Sequence, residues 1–336
     1  QEMEEVKTKK PSRLKRFIRI SFKIANHCIA KTIVAPYDRI KLLQQLSPLL
    51  NSSSEQRNTY NMFRFLLKEQ GFLSLWRGNL SGCLAIIPSI LVKELLDPYI
   101  RNFIVRHEPD QKYFLYLIEE LTAEFVTTTI RLVLSHPFTV LNIRVASDWG
   151  SSNYVSYIYP IVSTHGIFSI YRGVTLTLGI SLIQKAVFIL MTEFFRGYTI
   201  EDTSEKQVMI EEPENNMELE ELEDKEESHV KAFGKVLDKG IYNWTLSHIC
   251  THFSSIFTYP LDTISKGCMA LDITVMRCYQ QISNASGYSF YRGLGTHFMR
   301  GTLFSFTLIG LTRLKWYWLQ SRRNKNSRYH VLQETH

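Results

Sequence analysis

Apolar residues along this 336-residue chain gather into six stretches, at about 17–46, 80–105, 113–146, 174–199, 240–270 and 295–320, divided by polar sequence. Each is long enough to cross a bilayer as a helix, which takes roughly 20 residues. Few of them are clean. Val174 to Thr192 comes nearest to an unbroken apolar run, interrupted only by Gln184 and Lys185. Charges inside such helices are tolerated where they face protein or a water-filled cavity, so the pattern predicts a bundle around a hydrated interior.

The stretches also repeat. The first, third and fifth contain a proline, in Val34-Ala35-Pro36, Ser135-His136-Pro137 and Thr258-Tyr259-Pro260, each followed by a polar continuation. About 30 to 40 residues later each has an aromatic-Arg-Gly triplet: Trp76-Arg77-Gly78, Tyr171-Arg172-Gly173 and Tyr291-Arg292-Gly293. A second apolar stretch follows every triplet. Self-similarity at a fixed period marks a triplicated helix pair. Each proline removes one backbone hydrogen bond, so the odd helices are expected to kink there. Short amphipathic helices are expected near 58–70, 152–163 and 272–283, lying along one membrane surface.

Composition changes the picture in one place. Mean hydropathy of −0.11 would suit a soluble protein, but one segment pulls the average down. Glu201 to Glu227 holds 13 acids against two lysines, a composition that cannot bury a core. With the total at +7, the rest of the chain stands near +18, which suits an anionic partner: phospholipid headgroups, an anionic solute or nucleic acid. Six apolar stretches speak against nucleic acid. The five cysteines (Cys28, Cys83, Cys250, Cys268, Cys278) show no CxxC pair and no disulfide-style spacing, and are read as buried free thiols. The basic start (Lys7, Lys9, Lys10, Arg13, Lys15, Arg16) is read as a flank of the first membrane helix.

The repeats, written as Pro-x-acid-x-x-base, a loop helix and aromatic-basic-Gly, resemble the mitochondrial carrier family over nearly the whole chain. Within it, Lys31-Thr32-Ile33-Val34-Ala35-Pro36-Tyr37-Asp38-Arg39-Ile40-Lys41-Leu42-Leu43-Gln44-Gln45 looks like the first helix of ADP/ATP carriers, and Lys68 to Asn79 is similar to that branch's loop helix. The resemblance implies an all-α membrane protein of six transmembrane helices in three pseudo-threefold repeats, with matrix-side surface helices. The implied divisions are a basic N-terminal segment (1–16), carrier repeats at 17–107, 108–200 and 231–322, an acidic insert (201–230) and a C-terminal tail (323–336). The implied location is the mitochondrial inner membrane, crossed several times.

The family alternates access by making and breaking two rings of ion pairs. Acid and base three residues apart share one helix face. The matrix-side positions here are Asp38 and Lys41, Thr139 and Asn142, Asp262 and Ser265. By the family's pairing, Lys41 with Asp262 survives, with Gln45 as a glutamine brace. The cytosolic positions are Pro98 and Arg101, Glu193 and Arg196, Thr312 and Lys315. Glu193 with Lys315 is the full pair there, and Asp97 is taken to replace part of the acid lost at Pro98. Lys31, Lys185 and Arg300 match basic substrate contacts of ADP/ATP carriers and would attract phosphates. Departures are plain. Ala85 stands where an arginine is expected, Ile180 and Gln184 where a small residue and a stacking tyrosine are expected, and Ser265-Lys266-Gly267-Cys268-Met269-Ala270 where arginines and methionines run. Lys23 and Ile24, then Glu120, Glu124 and Thr127, then Ser254 and Ser255, replace glycines that let neighbouring helices slide.

The triplets are expected to hold cardiolipin headgroups at helix N-termini, against a plainer role as interfacial aromatic anchors. No cofactor is expected beyond such lipid. His248-x-Cys250-x-His252 lacks a third ligand, so no metal is expected. No catalytic motif is present, and no enzyme is expected. The acidic insert is a solvated loop or a docking segment for a basic partner. Broken rings and missing glycines favour an accessory subunit of a respiratory-chain type complex with a degraded transport cycle. The alternative is an active antiporter of adenine nucleotide or another anionic metabolite.

Overall fold

The computed structural model describes residues 13–50, 58–107, 112–148, 150, 166, 170–199, 222–311 and 313–314, and among them no strand occurs. The helices in chain order are α1 (Arg13–Leu46), α2 (Thr59–Gln70), α3 (Asn79–Leu95), α4 (Asp97–Ile104), α5 (Tyr113–Ser147), α6 (Val174–Thr199), α7 (Leu222–Leu271), α8 (Val275–Ala285) and α9 (294–311). Short 3-10 turns at Phe72–Trp76 and Gly287–Tyr291 precede two of the triplets' glycines.

Most expected elements are found, with three corrections. The stretch at 80–105 is two helices, broken at Leu96. Pro98 sits in the first turn of α4, where a missing N–H costs nothing. The helix expected from 240 begins at Leu222, so the last residues of the acidic insert are helical rather than loop. The surface helix expected at 272–283 starts only at Val275, because Asp272 takes a left-handed conformation (φ 57°) that stops α7. The helix expected at 152–163 lies outside the described residues. Among the described residues, two segments are long and apolar enough to cross a membrane by composition, Phe72–Leu95 and Val174–Met191.

The chain divides into two compact units, Gln1–Ile180 with Tyr259–His336, and Ser181–Thr258. In the first, the core gathers just beyond the three prolines. Leu42 and Leu46 of α1, Val140, Ile143 and Ala146 of α5, and Met269 of α7 form one buried cluster. Met62 and Leu66, one turn apart on α2, fill a second cluster with Ile40, Leu43 and Leu75. Cys278 and Ile282 of α8 close a third against Ile264 and Cys268. Amphipathic spacing thus seats both short helices on the ends of the long ones. Asn58 caps α2, its side chain accepting from the Tyr60 amide at 3.3 Å. Asn58→Ala is expected to cost about 1 kcal/mol, read as a lower unfolding temperature in detergent with unchanged helix content.

In the second unit, Gln184 of α6 donates to Thr258 of α7 at 2.9 Å. His248 and His252 meet through their Nε2 atoms at 2.9 Å, and Trp244 stacks on His248.

Candidate functional site

Beside the prolines, the first unit concentrates charge. Asp38 of α1 accepts ion pairs from Lys31, two turns earlier, and from Arg300 of α9. Asp262 of α7 takes Lys266 at 2.6 Å, Lys41 at 3.3 Å and the Gln45 amide at 3.1 Å. Gln45 is fully buried, and its carbonyl oxygen accepts from Lys266 at 3.0 Å. Lys41 also meets His297 Nδ1 at 3.0 Å and lies over the Tyr259 ring. Asp38 and Lys41 lie three residues apart on α1, so the two groups share one helix face. Among the described residues, four cations therefore share two carboxylates. Basic groups thus outnumber acidic ones here, which suits an anion.

Next come the triplets. Gly78, Gly173 and Gly293 share a left-handed backbone, φ 80–82°. At Gly78 a Cβ would fall 2.7 Å from Asn142 Oδ1 and 2.8 Å from its carbonyl oxygen, so both conformation and close approach demand glycine. The three arginines all reach protein. Arg77 pairs with Asp148 beyond α5, Arg172 with Asp272 beyond α7, and Arg292 donates to Ser47 beyond α1. His136 and Tyr259, each just before a proline, hydrogen-bond the carbonyls of Arg172 and Arg292 and stack on Tyr171 and Tyr291. Trp76 instead donates to the Thr32 carbonyl at 2.8 Å.

A third charged group lies at the other ends of α1 and α5. Arg101 of α4 pairs with Asp97 at 2.9 Å and with Glu120 and Glu124 of α5. Thr127 donates to Asp97 at 3.0 Å, and Lys23 of α1 pairs with Glu94 of α3. Lys23, Glu120, Glu124 and Thr127, read from the sequence as lost glycines, are thus all engaged between helices.

Of the residues singled out in the sequence, Lys31 and Arg300 meet on Asp38, and Lys41 and Gln45 meet on Asp262. Lys185 lies on α6 in the second unit. The side chains of Glu193, Arg196 and Lys315 fall outside the described residues. The uncharged ring positions are engaged differently, Ser265 with the Thr177 hydroxyl at 3.0 Å and Asn142 against Gly78. Sequence reasoning missed Lys266, four residues after Asp262 and so on the same face. It also missed His297 and Arg39. Arg39 is 2% exposed, with donors spent on the Ala146 and Ser74 carbonyls and the Gln70 side chain. Its position beside Asp38 hid that inward role.

The family described as "Mitochondrial carrier protein" matches residues 22–108 and 115–203. Similar proteins include "Mitochondrial substrate carrier family protein ancA" of Dictyostelium discoideum, 25% identical over 82% of this chain and 84% of that protein. "ADP,ATP carrier protein" of Parachlorella kessleri is 23% identical, covering 85% and 80%. "ADP/ATP translocase 3" of Homo sapiens is 22% identical, covering 85% and 92%.

Proposed function

The chain belongs to the mitochondrial carrier family, and from that premise we propose that it moves an anionic, phosphate-bearing solute across the mitochondrial inner membrane. The architecture proposed is six spanning helices in three repeats. Supporting it are the three recurring stitches, in which each triplet arginine reaches the residues beyond the next proline-bearing helix. The observation that carries the transport reading is the meeting of Lys31 and Arg300, from opposite ends of the sequence, on one carboxylate. Beside them, Lys41 and Lys266 crowd Asp262. A cargo with two negative charges would balance this set, drawing Lys31 and Arg300 off Asp38 by charge-assisted hydrogen bonds. Lys185 is taken as a third contact on the resemblance alone. Nothing in this chemistry needs a bond to be made, so the activity is transport rather than catalysis. Relatives named as ADP/ATP carriers make adenine nucleotides the first cargo to try.

Reconstitution into liposomes with nucleotides, phosphate and carboxylates tests the reading. Arg300→Ala is expected to slow exchange about 10- to 100-fold, the loss of one charged hydrogen-bonding contact. No exchange of any anion by the wild-type protein, or an unchanged rate in the variant, would sink it.

One observation favours a second reading, that of an accessory subunit that no longer cycles. Four positions where sliding glycines are expected carry interhelical hydrogen bonds and ion pairs instead. The relatives are named as carriers and translocases, and nothing in those names points to a subunit of a complex. Fixed-ratio co-purification with a respiratory complex, together with absent exchange, would reverse the order of the two. Cardiolipin at the triplets remains part of the proposal, held by backbone amides and the aromatic rings, since the arginines are engaged with protein.

A further inference from the structure

We infer that Cys28 and Cys83 form a dithiol that a membrane-borne hydroperoxide converts into a disulfide joining α1 to α3. The residues are 55 apart in sequence, yet each thiol lies 3.9 Å from the other residue's backbone carbonyl oxygen. Reciprocal contact of this kind places the two residues side by side where α1 packs on α3, and residues so placed can be bridged where their Cα atoms lie within about 7 Å. Linear spacing hides this, because the pairing exists only once α1 and α3 have packed.

The surroundings select the oxidant. Both thiols are half-buried. Cys83 has the Thr32 hydroxyl at 4.0 Å and donates to the Asn79 side-chain Oδ1 at 3.9 Å. Thr32, Ile29, Ile33, Leu80 and Leu84 around them are exposed. An apolar outer face of this kind meets lipid, so the reagent that arrives is one dissolved there. Cys268 and Cys278 are also neighbours, sharing one core cluster, but at 1% and 0% exposure they are closed to it. In the step proposed, two thiols give up two protons and two electrons, and one S–S bond forms. The hydroperoxide's O–O bond breaks, and it leaves as an alcohol and water. The product ties the α1–α3 crossing covalently, so any motion that separates these helices stops until a thiol reductant restores the pair.

The experiment uses the full chain in phospholipid vesicles treated with cumene hydroperoxide, followed by denaturation, alkylation, digestion and mass spectrometry. The expected product is a peptide containing Cys28 joined to one containing Cys83, two hydrogens lighter than the pair and lost on reduction. Neither Cys28→Ser nor Cys83→Ser gives it, and either serine fits the site if the other disturbs folding. Recovery of Cys28 and Cys83 as separate thiols or separate sulfinic acids would overturn the inference. So would a bond between Cys268 and Cys278 in its place. The readout needs no transport, so its failure is distinct from failure of the carrier reading.

Discussion

Asp262→Ala is expected to destabilise the protein by about 3–5 kcal/mol, the usual cost of removing one partner from a buried ion pair. The reason lies in what remains. Lys266 at 2.6 Å and Lys41 at 3.3 Å would be left facing each other without a counter-ion. The Gln45 amide, with no solvent exposure, would lose an acceptor at 3.1 Å. Asp262→Asn keeps one acceptor oxygen without the charge and should fall between. Lys266→Met should be milder, because Lys41 still holds the carboxylate. Thermal unfolding of the purified protein in detergent reads all three. If the alanine variant melts with the wild type, the carboxylate is not what holds α1 to α7.

Arg101→Ala is the second large effect, about 2–3 kcal/mol for charge-assisted hydrogen bonds that solvent partly reaches. One guanidinium serves Asp97, Glu120 and Glu124. Without it three carboxylates face one another across the α4–α5 contact, and like charges at close range repel. Arg101→Lys keeps the charge but loses the planar fork that reaches several acceptors at once, so partial recovery is expected. Measured alongside exchange, the same variants separate the two functional readings. A carrier restrained by this clamp would exchange faster per folded molecule once it is loosened, whereas a static subunit would exchange nothing in either form.

Much of the fold was legible because its signals are periodic. Prolines and triplets recur in register, and Val174–Thr199 begins and ends where its apolar run does. The short helices were visible from alternating faces, as in Met62 and Leu66. Boundaries failed where a local backbone event decided them. Asp272 stops α7 by its left-handed conformation, and Pro98 restarts a helix that hydropathy reads as continuous. Neither event alters the apolar pattern.

The site was legible where an interaction follows the repeat, as for Lys41 with Asp262 and its Gln45 brace. It was obscured where a partner had been replaced. Asn142 cannot pair with Asp38, and the carboxylate turns to Lys31 and Arg300 instead. Lys23, Glu120 and Glu124 read as lost glycines because sequence shows what is absent, while the compensating Glu94 and Arg101 lie on other helices. The thiol neighbours were hidden for the same reason. Contacts between elements that do not follow the repeat carry no linear signature.

The distribution of cohesion along α1 and α5 has one more consequence. Leu42, Leu46, Val140 and Ile143 hold one end of these helices by apolar packing, while Lys23, Glu120 and Glu124 hold the other by charge. Cooling weakens water-driven apolar cohesion and leaves ionic strength irrelevant to it. Added salt acts in the opposite sense, screening the ion pairs that solvent reaches at either end and sparing the apolar contacts. Temperature and electrolyte are thus separate handles on the apolar and the ionic contacts of α1 and α5.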